Sequence, residues 1–245
     1  MDNYREDTYG ERIAGVYDAW YDEYDEATVA ALLELAGGGR ALELGIGTGR
    51  LALPLQRSGV VVEGIDSSQA MTARLRSKPG GDRIPVAIGD FADVGVEGQY
   101  SLVYVLVNTF FALLSQEEQV RCFRNVAQHI SPEGSFVIEA FVPDLSRLSA
   151  RQTVRVADIT DNEIHLDISR IDPVSQQITA QQVVLTEQGI RRYPVKLRYA
   201  WPSELDLMAR LSGLELKQRW GDWRKGAFSA DSHMHISVYG HLPQE

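Results

Sequence analysis

Ala41-Leu42-Glu43-Leu44-Gly45-Ile46-Gly47-Thr48-Gly49 is the stretch that decides the fold. Four residues of buried-strand character run into three glycines at alternate positions. A helical pattern from about Thr48 to Ser58 follows, with Pro54 expected to kink it. Glycine accepts positive φ and lets another group approach the backbone closely. A helix that starts at such a turn offers unpaired N–H groups.

Outward from this turn, short apolar runs alternate with helical patterns. Val29, Leu32, Leu33 and Ala36 share one helix face, and Gly37-Gly38-Gly39 ends that helix. Val60–Ile65, Ile84–Ile88, Tyr100–Val107 and Ser135–Phe141 read as strands. Residues 68–76 and the capping box Ser115-Gln116-Glu117-Glu118 read as helix and helix start. Strands spaced by helices predict βαβ units and a parallel sheet. After Phe141 the pattern changes. Val154–Val156, Ile164–Ile168, Ile178–Ala180 and Val195–Tyr199 alternate with no helix between them. A helix opening at Ser203 and strands at Leu214–Trp220 and His235–Tyr239 close the chain. The expected fold is α/β: a Rossmann-like, seven-stranded, mostly parallel sheet with helices on both faces and an antiparallel β insertion. Residues 1–142 form an N-terminal cap and cofactor core, 143–200 the insertion or lid, and 201–245 the last helix and strands.

The 245 residues carry 24 Lys and Arg against 34 Asp and Glu, a net charge of −10. Polyanion binders carry a basic surplus, so nucleic acid is excluded as the expected partner. Nine acids crowd residues 1–30, and nine Lys/Arg fall in residues 191–225. Solvated faces account for this, and an acidic end also suits a cationic ligand. Cys122 is the one cysteine, which excludes an internal disulfide framework and a Cys-rich zinc site. There is no run of 18 apolar residues and no visible signal peptide, so the expectation is a cytoplasmic protein without a membrane partner.

Two ligands suit the glycine turn. Gly47-Thr48-Gly49-Arg50-Leu51-Ala52 matches a dinucleotide fingerprint, but that fingerprint should begin directly after the strand. Gly45 holds that place, and counting from it puts Arg50 where the third glycine belongs. The other ligand is S-adenosylmethionine. Glu43 to Gly49 resembles the first motif of class I S-adenosylmethionine-dependent methyltransferases of the small-molecule type. Gly64-Ile65-Asp66-Ser67-Ser68-Gln69-Ala70-Met71, Gly89-Asp90-Phe91 and Leu106-Val107-Asn108-Thr109-Phe110 resemble that family's next three motifs, in order.

The resemblance implies a cofactor site of Glu43, Gly45, Gly47, Gly49, Asp66, Ser67, Met71, Asp90, Phe91, Val107 and Asn108. Asp66 would take the ribose hydroxyls, or alternatively cap the following helix, a role Ser67 fills equally well. Asp90 would take the adenine amine, and Met71 would lie on the adenine face. Glu43, a strand carboxylate that is costly to bury unpaired, would orient the turn or face the methionine amine. Residues 9–21 resemble the segment that folds over the cofactor in small-molecule members. Tyr17 and Tyr21, one turn apart, are its candidate hydroxyl donors.

Methyl transfer requires alignment of the nucleophile, exclusion of water and, for some acceptors, removal of a proton. Glu139 and His233 are the candidate catalytic residues, with His235 beside them. No metal site is expected, since the five histidines lack ligand spacing. Phe110, Phe111, Phe141, Trp201, Trp220 and Trp223 are candidates for an aromatic acceptor pocket. The insertion resembles the lid of methyltransferases acting on amino sugars, and is also a candidate homodimer surface. The expected function is methyl transfer to N or O of a small-molecule acceptor. The alternatives are a nicotinamide-dependent oxidoreductase and a cofactor-binding, non-catalytic regulator.

Overall fold

The computed structural model describes residues 3–21, 23–144 and 151–243. Residues 145–150 of the expected insertion therefore lie outside the described residues. Short helices α1 (Thr8–Ile13) and α2 (Tyr17–Tyr21) lead into α3 (Glu26–Ala36). Then come β1 (Ala41–Leu44), α4 (Ala52–Arg57), β2 (Val62–Asp66), α5 (Gln69–Ser77), β3 (Val86–Ile88), β4 (Tyr100–Val105), α6 (Gln116–His129) and β5 (Ile130–Phe141). The insertion supplies β6 (Gln152–Ile159), β7 (Glu163–Asp172), β8 (Gln177–Thr186) and β9 (Gly189–Arg198). Helix α7 (Pro202–Leu211), β10 (Leu214–Trp220) and β11 (Met234–His241) complete the chain.

The large sheet runs β10-β11-β5-β4-β1-β2-β3, and β6 to β9 form a separate antiparallel sheet. Strands β1 to β5 pair in parallel, while β11 is antiparallel to both β5 and β10. Strand order reverses between β1 and β4, which opens a crevice at their carboxyl ends. β1 is buried along its whole length, as a strand covered on both faces must be.

Two helices depart from the sequence expectation. α4 starts at Ala52 rather than Thr48, because Gly45 to Arg50 remain in the turn. Pro54 lies in the first turn of this short helix, where the N–H it lacks has no intrahelical partner, so no kink is required. Ser68, not Ser67, caps α5: its side chain accepts from the Met71 N–H. The capping box of α6 forms as expected, with Ser115 and Glu118 satisfying each other's backbone N–H groups.

The antiparallel sheet is fastened to the main body through Arg198, which is 6% exposed. Its guanidinium donates to Gln119 at 2.6 Å, Gln176 at 2.9 Å and Glu204 at 2.7 Å. Gln119 in turn donates to the Arg198 carbonyl. One buried, hydrogen-bonded cation thus ties β9 to α6 and α7, and so fixes the insertion above the strand ends.

Candidate active site

A cavity of about 470 Å³ opens at the carboxyl ends of β1, β2, β3 and β4 and extends to β8 and β9. Its floor is the glycine turn. Gly45, Gly47 and Gly49 have φ of +73°, +56° and +76°. A Cβ at Gly45 would lie 2.5 Å from Thr109 Cγ2, and one at Gly49 2.3 Å from Leu75 Cδ1. The turn therefore needs glycine both for conformation and for space. Gly45 and Gly47 line the cavity, while Gly49 packs against Leu75 beneath it.

Asp66 ends β2 and lines the cavity. Oδ2 accepts from the Gly47 N–H at 2.7 Å, and Oδ1 from the Ser68 N–H at 2.8 Å. A carboxylate has about four lone-pair sites, so each oxygen keeps one acceptor position for a ligand hydroxyl. Burial raises its pKa, and the two N–H groups pull it back. Ser67 and Met71 line the cavity beside it. Asp90, after β3, also lines it. Its Oδ1 caps the short turn at Ala92, and Oδ2 pairs with Arg121 at 3.1 Å. Phe91 lies on the same wall.

Glu43 lines the floor at 7% exposure. Burial pushes its carboxyl up to about 8, opposed by the Tyr104 hydroxyl, which donates to it at 3.0 Å, and by the Arg50 charge. Arg50 was not among the expected site residues, yet its guanidinium lines the cavity and donates to the Tyr21 carbonyl at 3.1 Å. A cation immediately after the glycine turn was the available signal. Tyr4 and Tyr9 were missed as site residues in the same way, although Tyr9 lies in the quoted N-terminal segment.

The N-terminal segment covers the cavity through polar contacts. Asp18 accepts from Thr48 at 2.6 Å and pairs with Lys78 at 2.7 Å. Glu11 accepts from Ser68 Oγ and the Ala70 N–H. Tyr17 lines the cavity and is held protonated by burial. Tyr21 does not line it. Its hydroxyl accepts from Gln182 of β8 at 2.6 Å, and its ring packs on Tyr17 at 5.1 Å.

Val107 and Asn108 line the cavity at the end of β4, both left-handed with φ of +54° and +65°. Asparagine tolerates this region, whereas the β-branched Val107 is strained there by about 1–3 kcal/mol. Glu139 and His233 are not among the lining residues. The Glu139 carboxylate accepts from the Val107 N–H at 3.1 Å, and burial raises its pKa. His233 is exposed and precedes β11. His235 is fully buried, bonded to Ser237 at 2.8 Å and pushed down to about 4 by burial.

The expected aromatic pocket is also different. Phe110 packs on Phe123 and Phe136, Phe111 packs on Phe141, and Trp220 and Trp223 are buried. Tyr4, Tyr9, Tyr17 and Phe91 supply the aromatic lining instead. Among the described residues, no group of three or more His, Cys, Asp or Glu is arranged to hold a metal ion.

Residues 41–134 match a family model described as a methyltransferase domain. The solved structure of the CcbJ methyltransferase from Streptomyces caelestis is 41% identical, with a TM-score of 0.91. That match covers 98% of this chain and 100% of the other. The chain is a class I S-adenosylmethionine-dependent methyltransferase. The cypemycin N-terminal methyltransferase of a Streptomyces species is 26% identical over 202 residues, 82% of each chain. The S-adenosylmethionine-bound structure of CalS10, an amino pentose methyltransferase from Micromonospora echinaspora, shares the fold at 20% identity. Its TM-score is 0.69, with 93% of this chain and 97% of that one covered. These relatives give no support to a nicotinamide oxidoreductase or a non-catalytic regulator. Among the methyltransferase's described residues, no helix is long and apolar enough to cross a membrane.

Proposed function

We propose that this methyltransferase acts on an amine nitrogen of a small-molecule acceptor enclosed between the strand ends and the β8–β9 face of the insertion. The observation that carries this reading is the continuity of the cavity. One space runs from Asp90 and Asp66, past the glycine turn, to Gln182, Val195, Lys196 and Leu197.

The cofactor half follows the order of the strands. Asp90 and Phe91 at β3 suit the adenine, and Asp66 at β2 has acceptor positions for the ribose hydroxyls. Gly45 and Gly47 at β1 let the chain pass close to the backbone. At β4 and β1, Val107, Asn108, Glu43 and Arg50 meet the amino-acid end. Arg50 suits its carboxylate, and Glu43 its ammonium. Tyr17 stays protonated and can donate to the same carboxylate. When bound, S-adenosylmethionine supplies an electrophilic methyl group on a sulfonium. The protein's task is then to align the acceptor and exclude water. The N-terminal cap does the second through its Asp18 and Glu11 contacts.

The choice of an amine rests on protonation chemistry. An alcohol needs a base to become a good nucleophile, whereas a neutral amine attacks directly and releases its proton afterwards. Among the described residues, the lining contains no histidine. Its tyrosines Tyr9 and Tyr17 are held protonated by burial. The cypemycin enzyme, by its name, also methylates an amino terminus. The acidic net charge disfavours a nucleic-acid acceptor, and the single, buried Cys122 fits a reducing cytoplasm.

Filling the acceptor end tests this assignment. Val195→Trp should abolish transfer to a known acceptor and leave S-adenosylhomocysteine affinity unchanged. Equal turnover in the variant would place the acceptor elsewhere.

A further inference from the structure

We propose that Glu139 is a positioning residue that holds the Val107–Asn108 turn against the amino-acid end of the cofactor. This rests on the cofactor placement given under Proposed function. β5 lies beside β4, with Ile138 opposite Val105, so Glu139 falls next to the point where β4 leaves the sheet. There the backbone takes two left-handed residues in succession. Asparagine tolerates that conformation, but a β-branched valine does not adopt it unless its surroundings impose it.

The surroundings are three hydrogen bonds from one short piece of β5. The Glu139 carboxylate accepts from the Val107 N–H at 3.1 Å. The Glu139 carbonyl accepts from the Asn108 N–H at 3.1 Å. The Phe141 N–H donates to Asn108 Oδ1 at 2.7 Å. The Trp223 side chain also faces this carboxylate and favours its charged form, against the burial that raises its pKa. Val107 and Asn108 line the cavity and Glu139 does not. Glu139 therefore acts on the ligand through the shape of the turn. Without its carboxylate, the Val107 N–H loses its tether to β5 and turns to solvent, and the strained residue can relax toward extended geometry.

Two ligands separate this role from general damage. S-adenosylhomocysteine carries the amino-acid end, and 5′-methylthioadenosine lacks it. Calorimetric titration of Glu139→Ala should show about tenfold weaker S-adenosylhomocysteine binding, the scale of one lost hydrogen bond to a charged group, with 5′-methylthioadenosine within about twofold of wild type. Glu139→Gln retains an acceptor oxygen for the Val107 N–H and should stay within about threefold for both. Glycine removes the strain itself. The penalty of Glu139→Ala should therefore shrink to about threefold or less in a Val107→Gly background.

Equal weakening of both ligands would overturn the proposal. So would unchanged S-adenosylhomocysteine binding in Glu139→Ala, or an undiminished penalty in the Val107→Gly background. If Glu139→Ala fails to fold by thermal melt, Trp223→Phe replaces it. This removes the polar N–H that faces the carboxylate and should weaken S-adenosylhomocysteine selectively, and an unselective effect refutes the proposal. Failure of the wild-type protein to bind either ligand would instead overturn the cofactor placement.

Discussion

Glu43→Gln should make the ligand-free protein more stable at neutral pH and a poorer binder of its cofactor. Glu43 is 7% exposed, and burial holds its carboxyl at about 8 against an ordinary 4.5. In the unfolded chain the group ionises above 4.5, while in the folded chain it keeps its proton up to about 8. The unfolded state thus binds fewer protons in this window, so folding stability falls as pH rises through it. Stability is full below 4.5 and lowest above 8. At pH 7 the loss covers roughly two and a half units, on the order of 3 kcal/mol at 1.36 kcal/mol per unit. Glutamine is neutral in both states and still accepts from the Tyr104 hydroxyl, so it escapes that loss. For a chain of this size, the gain corresponds to roughly 6–12 °C in Tm at pH 7 and to almost nothing near pH 4. Differential scanning calorimetry of both proteins from pH 4 to 8 measures it. A bound ammonium favours loss of the Glu43 proton and pairs with the carboxylate formed, which glutamine cannot do, so the same substitution should weaken S-adenosylhomocysteine by about 1–3 kcal/mol. A Glu43→Gln variant less stable than wild type at pH 7 would refute the reasoning. It would mean that Glu43 is ionised and paired in the resting protein.

Three further outcomes follow from the same structure. Asp66→Ala should weaken S-adenosylhomocysteine binding by about 1–3 kcal/mol in calorimetry, since two acceptor positions vanish. Gly49→Ala should cost about 2–4 kcal/mol in urea unfolding, from a strained φ and a Cβ driven into Leu75. Glu204→Ala should destabilise the fold by about 3–5 kcal/mol by leaving the buried Arg198 without its carboxylate, and a loss below about 1 kcal/mol would contradict the anchoring role of that pair.

The parallel core was legible because its signals are local. Apolar strands, a glycine turn and a capping box each act within a few residues. The four hairpin strands were visible from alternation alone. Boundaries suffered where a rule met an irregularity. Pro132-Glu133-Gly134 reads as a turn, yet β5 already begins at Ile130, and the register shift opposite Tyr100 and Leu102 absorbs those residues. The cavity lining was legible where the strand ends define it, as at Asp66, Asp90 and Val107. It was not legible where facing depends on tertiary packing. Phe110 and Phe111 follow a strand end, but a short helical turn directs both into the core. Tyr9 and Gln182 reach the cavity only because the N-terminal cap and the insertion fold back over it. Arg50 depends on the carboxylates and carbonyl gathered around it.

The most direct test of the account is transfer of labelled methyl groups from S-adenosylmethionine to a panel of small primary and secondary amines, alcohols, phenols, folded proteins, DNA and RNA. The account predicts label on small amines, lost in Asp66→Ala at subsaturating cofactor. Label confined to DNA, RNA or folded proteins, or on alcohols and phenols with none on amines, would contradict it.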